Sequence, residues 1–185
     1  MIRISPSFCI ALIVLFMTCV SVAATQFEYM SPKQMGSESS LVVRGKVTST
    51  RSFWNEANTK IFTETIVQVD EAYKGQPGAS VSVLQLGGVV GTLRMHVHGA
   101  LTWSPGEEVL LFLEPLDNGQ HRVAGFSQGK FKVERDPVTG APFVTQPALE
   151  GAEVLGAPGQ GSGLEAQRAD KIPLDAFVGD VLETK

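Results

Sequence analysis

Cysteine is scarce in this chain, and the two present, Cys9 and Cys19, both lie close to its start. No apolar run reaches the ~20 residues that a membrane-spanning helix needs. The longest, Phe8 to Val20, is about thirteen residues and is broken by Cys9, Thr18 and Cys19. Basic residues are not clustered, and the formal charge is −4. That balance argues against nucleic acid and anionic membrane surfaces as partners. Catalytic signatures are missing too. The one G-x-S-x-G run, Gly125-Phe126-Ser127-Gln128-Gly129, leads into strand alternation and not into the helix that a nucleophile elbow opens. The glycines at 156, 159, 161 and 163 lack dinucleotide-loop spacing, and Gly87–Gly91 lacks the Lys-Ser/Thr of a phosphate loop.

The start of the chain has the three parts of an export signal, in order. Met1-Ile2-Arg3 carries the segment's one charge, Phe8 to Val20 is apolar, and Ser21-Val22-Ala23-Ala24 places small residues before a cleavage point. Residues 1–24 are therefore expected to be a cleavable signal peptide, which makes the protein periplasmic or extracellular. Thr25 would be the mature N-terminus. Removing the segment takes one of 15 basic and none of 19 acidic residues, so the charge falls from −4 to −5. Both cysteines leave with it. The exported chain then has no disulfide and no thiol nucleophile, and must rely on its core.

Ser31-Pro32 predicts the start of a short helix ending near Gly36. After it, strand patterns dominate. Val43, Gly45 and Val47 alternate with Arg44, Lys46 and Thr48, the period of a half-buried strand. Asn55–Asn58 predicts a turn. Ile61–Tyr73 is long and rich in strand formers, so a bend or bulge is expected within it. Ser80–Leu86 predicts a third strand, broken by Gly87–Gly91, a corner where glycine allows close backbone approach. Leu93, Met95 and Val97 alternate with Arg94, His96 and His98, predicting a fourth. Val109–Leu113 is continuously apolar, as in a strand buried on both faces. Asp117-Asn118-Gly119 predicts a hairpin turn, with His121–Phe126 returning. Lys130–Glu134 alternates again, and Phe143-Val144 adds a short strand.

This pattern predicts a mainly β fold: a small closed or partly open OB-like barrel of seven to eight strands over residues 25–150. Gly151–Gly163 is glycine-rich and predicts a flexible linker. In 164–185, Leu174, Phe177, Val178, Val181 and Leu182 form one face of an amphipathic helix. A helix this short needs a surface to cover that face, either the barrel or a partner.

Four runs carry a resemblance: Leu41–Val47, Thr63–Lys74 leading into Gly75, Pro105–Leu113, and Ser127-Gln128-Gly129-Lys130-Phe131. Over roughly residues 38–146 the chain resembles a group of uncharacterised exported bacterial β-barrel proteins. More distantly, it is similar to the OB-like module of netrins and tissue inhibitors of metalloproteinases. In those inhibitors a mature N-terminal cysteine chelates the target's zinc. Thr25 stands at that place here, so the inhibitory residue has no counterpart.

Several groups could still carry chemistry. His96 and His98 would share one face of a strand and could hold zinc or copper. Arg94 on the same face opposes a cation, and a zinc site wants three or four ligands. Ser127, His121 and Asp117 form a triad only on paper. Glu107 and Glu108 would point to opposite faces at the solvated start of a strand. Trp54 and Trp103 flank turns, where aromatics can bind sugars or peptides or simply cap a core. The possible ligand face is thus Arg94, His96, His98, Trp54 and Trp103. No catalytic residue and no cofactor is expected. The expectation is an exported, non-enzymatic binding or accessory module for a protein or glycan. The alternatives are a regulator or inhibitor-like partner of an exported hydrolase (a protease), and a metal-binding protein using His96 and His98.

Overall fold

The computed structural model describes residues 25–146, 152–155 and 171–183. The expected signal peptide, 1–24, lies outside these residues, as do 164–170 and most of the expected linker. After β1 (Thr25–Glu28), Ser31 caps α1 (Pro32–Glu38), its hydroxyl accepting from Gln34 N–H at 3.2 Å. At the other end of α1, Lys74 Nζ donates to the carbonyls of Gly36 and Ser37 at 2.8 and 2.9 Å, satisfying orphan acceptors of the last turn.

Two long strands follow, β2 (Leu41–Trp54) and β3 (Ile61–Lys74), joined as a hairpin. Asn55 builds the connection. Its Oδ1 accepts from the N–H groups of Thr59 and Lys60 at 2.8 and 2.9 Å, while Asn58 takes φ 52°. The β2–β3 register slips at Val42/Val43, Arg44/Gly45 and Val47/Ser49. These irregularities let the pair bend into a barrel wall. At Gly45 a Cβ would run into the Gln68 carbonyl, so glycine is required there.

β4 (Ser80–Leu86) lies antiparallel to β3. β5 (Gly88–Val90) and β6 (Leu93–Met95) form a separate small hairpin. β7 (Glu108–Pro115) returns antiparallel to β2, and β8 (His121–Val123) pairs antiparallel with β7 and parallel with β4. The ring β2-β3-β4-β8-β7 therefore closes on itself. Numbered within the ring, the strand order is 1-2-3-5-4-1. Five strands close the barrel, not seven or eight, because the rest extend the wall. β9 (Lys130–Arg135) and β10 (Pro142–Thr145) continue the sheet outward from β7. Within the expected linker, β11 (Ala152–Leu155) pairs parallel with β1. The short β12 (Ile172–Pro173) pairs with β10 and leads into α2 (Leu174–Leu182).

Two apolar cores result, and β7 belongs to both. Its five residues Val109–Leu113 are all fully buried. Val109, Leu111 and Leu113 enter the barrel interior with Val43, Val47, Val67, Val81, Val83 and Val123. Leu110 and Phe112 point outward, into a second core with Met35, Phe131, Val133, Leu174, Phe177 and Val181. The expected helix face is thus covered by the barrel's own outer wall. Phe177 meets the Phe131 and Phe112 rings at 4.8 and 6.3 Å between centroids. α1 crosses α2 at Gly36, where a Cβ would strike Val181.

Candidate functional site

The segment between β6 and β7 folds across one end of the barrel. Leu101 is buried there, and Trp103 packs against the interior core. Lys130 holds this segment down. Its side chain is only 2% exposed. Nζ donates to Thr102 O at 2.7 Å and Glu107 at 2.9 Å, and lies 4.5 Å from the Trp103 ring centroid. Burial lowers the Lys130 pKa, against the opposing pull of the Glu107 carboxylate. The alternation of 130–134 puts Lys130 on the face opposite Phe131 and Val133, which in a half-buried strand is the solvated one. That face does lie opposite Phe131 and Val133, but the overlying segment excludes water from it. Glu107 and Glu108 are likewise only part-exposed and are held in ion pairs. Glu107 pairs with Lys130, while Glu108 pairs with Arg44 at 2.7 Å and Arg135 at 3.6 Å.

The barrel's weakest join lies beside this cap. Gly87 N–H donates to Ile61 O at 2.8 Å, which fixes the phase of β4. Backbone groups of Val81, Val83 and Gln85 face β3, and those of Ser82, Leu84 and Leu86 face the opposite edge. The bonds Ala124 N–H to Phe112 O and Leu116 N–H to Gln120 O fix β8 in the same way. His121 and Val123 thus turn their backbone groups toward β4. A single pair, Val83↔His121, joins these two edges.

Past that pair the seam opens into a cleft of about 420 Å³. Leu84, Gln85 and Leu86 line one side; Arg122, Val123, Gly125, Phe126 and Ser127 line the other, with Met30, Ala100 and Leu101 between them. The walls are mainly apolar. Their polar side chains already have partners. Gln85 donates to Leu101 O at 2.8 Å and accepts from Trp103 Nε1 at 3.0 Å. The Ser127 hydroxyl donates to Gly99 O. Arg122 and Glu114 form an ion pair at 2.7 Å on the rim.

The turn that carries Phe126 is strained. Gly125 and Phe126 have φ 58° and 67°, a region that suits glycine but not a bulky residue. The buried Gln128 holds the turn in place. Its amide accepts from Met30 N–H at 3.0 Å and donates to Glu28 O at 2.8 Å. Phe126 stays 44% exposed at the mouth of the cleft. Strain of this kind persists where surrounding contacts over-determine the backbone, and such places are often functional.

The structure brings together only part of the expected ligand face. β6 ends at Met95, so His96 and His98 lie beyond the strand, not on it. The positive-φ glycines Gly87, Gly88, Gly91 and Gly99 keep this hairpin short and turn it away from the ladder. The two imidazoles still meet edge to face, with centroids 4.9 Å apart. No group of three or more His, Cys, Asp or Glu able to hold a metal occurs among the described residues. Arg94 is exposed on β6. Trp54 is half-buried at the end of β2. Trp103 touches the cleft only through Gln85. His121 is half-buried on β8, with its Nδ1 buried and unpartnered and its pKa lowered chiefly by burial. The Ser127 hydroxyl is committed to Gly99, which leaves the paper triad without its nucleophile's proton transfer.

Sequence reasoning missed Leu84, Leu86, Val123 and Phe126. One signal was present: Ala124-Gly125-Phe126-Ser127-Gln128-Gly129 mixes small residues with one exposed aromatic. No helix among the described residues is long and apolar enough to cross a membrane. Compared with known proteins, the chain matches no family model and no curated protein.

Proposed function

We propose that this is an exported, non-enzymatic binding module whose ligand enters the cleft at the β4–β8 seam. The observation that carries the reading is the cleft itself. It is open and apolar, its volume lies within the ~300–1,000 Å³ usual for ligand sites, and a strained aromatic stands at its mouth. The ring order 1-2-3-5-4-1, with its parallel closing pair, supports an OB-like barrel. Export rests on the charged start, short apolar run and small residues of 1–24.

An apolar fluorophore tests the site. Nile red, which is uncharged, is expected to bind the folded protein once, and Ala100→Phe, which fills the cleft, is expected to abolish binding with the melting temperature kept. A native protein that leaves the dye dark in buffer overturns the reading. The accessory role is separated by co-purification. A protease as sole partner favours a hydrolase regulator, and a glycan favours a carbohydrate module.

A second reading is attached to His96 and His98, whose 4.9 Å ring contact gives two imidazoles to one ion. Zinc or copper should then bind with measurable heat, lost in the His96→Ala/His98→Ala variant. A flat titration with both metals ends it.

A further inference from the structure

We infer that the ligand of the cleft is an extended, uncharged peptide segment of a partner protein. It adds as a strand beside Leu84–Leu86 and sets an apolar side chain into the cleft. This rests on the binding-module reading above and narrows it to one class of ligand.

The argument is one of complementarity. A sugar or a charged headgroup needs side-chain donors and acceptors. Those of Gln85, Ser127, Glu114 and Arg122 are already bonded within the protein. Apart from the buried Nδ1 of His121, which does not line the cleft, the polar groups left along the seam belong to the backbone. Beyond the Val83↔His121 pair, Leu84 C=O and both backbone groups of Leu86 face the cleft, and Val123 faces it from the other side. Donors and acceptors at strand spacing match another extended backbone, the pattern of β-strand addition. Charge agrees with this. Glu114 and Arg122, the two charged groups at the cleft, neutralise each other, so an inserted charge would find no counter-charge. Val83 and Val123 offer apolar walls, and Phe126 stands at the mouth, where it can fold over an inserted side chain.

The test uses the whole exported chain and the uncharged peptide acetyl-Gln-Thr-Val-Leu-Val-Thr-Gln-amide. Added to the isotope-labelled protein, it is expected to shift the amide signals of Leu84, Leu86 and Val123. The same peptide N-methylated at its leucine keeps the side chains but loses a backbone donor, and should bind at least tenfold more weakly. Leu86→Pro removes a donor that faces the seam, not β3. It should lose the peptide while keeping its melting temperature. Equal binding of the parent and N-methylated peptides overturns strand addition. A cleft that takes the dye but no peptide at millimolar concentration overturns the peptide class and leaves the binding module standing. A cleft that takes neither overturns both.

Discussion

A lysine that is 2% exposed is retained because every donor of its ammonium group has somewhere to go. Lys130→Met is expected to leave Glu107 and Thr102 O without their partner, at a cost of about 3 kcal/mol. Urea denaturation measures it. The double variant Lys130→Met/Glu107→Leu should recover most of the loss, since replacing both members of a buried pair is often neutral. Double-variant stability equal to that of the single variant would refute the pairing. His121 gives a pH dependence. Burial lowers its folded pKa below the usual 6.5, so the unfolded chain takes up the proton first as pH falls. Stability is complete above that value and declines as pH drops through it and below. The melting temperature should therefore fall between about pH 7 and about pH 5, around the ordinary histidine range, and His121→Asn should flatten that slope. Both residues show the reach of the sequence. Period-two alternation gave Lys130 the correct side of its strand but could not tell that a distant segment covers it. It predicted a strand that carries His96 and His98, but the ladder ends at Met95, among positive-φ glycines that alternation does not weigh.

At the scale of elements, the chain was more readable. The turn at Asn55–Asn58, the bends in β3, the doubly buried β7 and the apolar face of α2 all follow from local chemistry. Only the helix's address was open, since an apolar face does not name its cover. Phe177, buried against Phe131 and Phe112, should cost about 3 kcal/mol or more when cut to alanine. In a domain of this size that is roughly 6–12 °C of melting temperature, read by calorimetry. A shift below a degree or two would mean that α2 does not rest on the barrel. Gly45→Val should be at least as harmful, because its new side chain would meet the β3 backbone where the wall bends.

Across the whole molecule, the ring is unevenly sealed. β2 and β3 pair along nearly their full length, whereas β4 and β8 share one residue pair. Amide exchange should report this directly. Leu86 and Val123 are expected to exchange orders of magnitude faster than Val43 or Leu111. This seam was invisible in the sequence, because it is made by where two strands stop pairing and not by any motif. The sharing of β7 between two cores has a different consequence, one for the time course of folding. Arg44 and Glu108, which meet across β2 and β7, are 64 positions apart. Contacts so distant in sequence form late and slowly. Until β2 arrives, β7 presents bare apolar surface on both sides, a template for other chains. Refolding yield should therefore fall as protein concentration rises, and the chain's most hazardous moment is the interval before its central strand finds its neighbour.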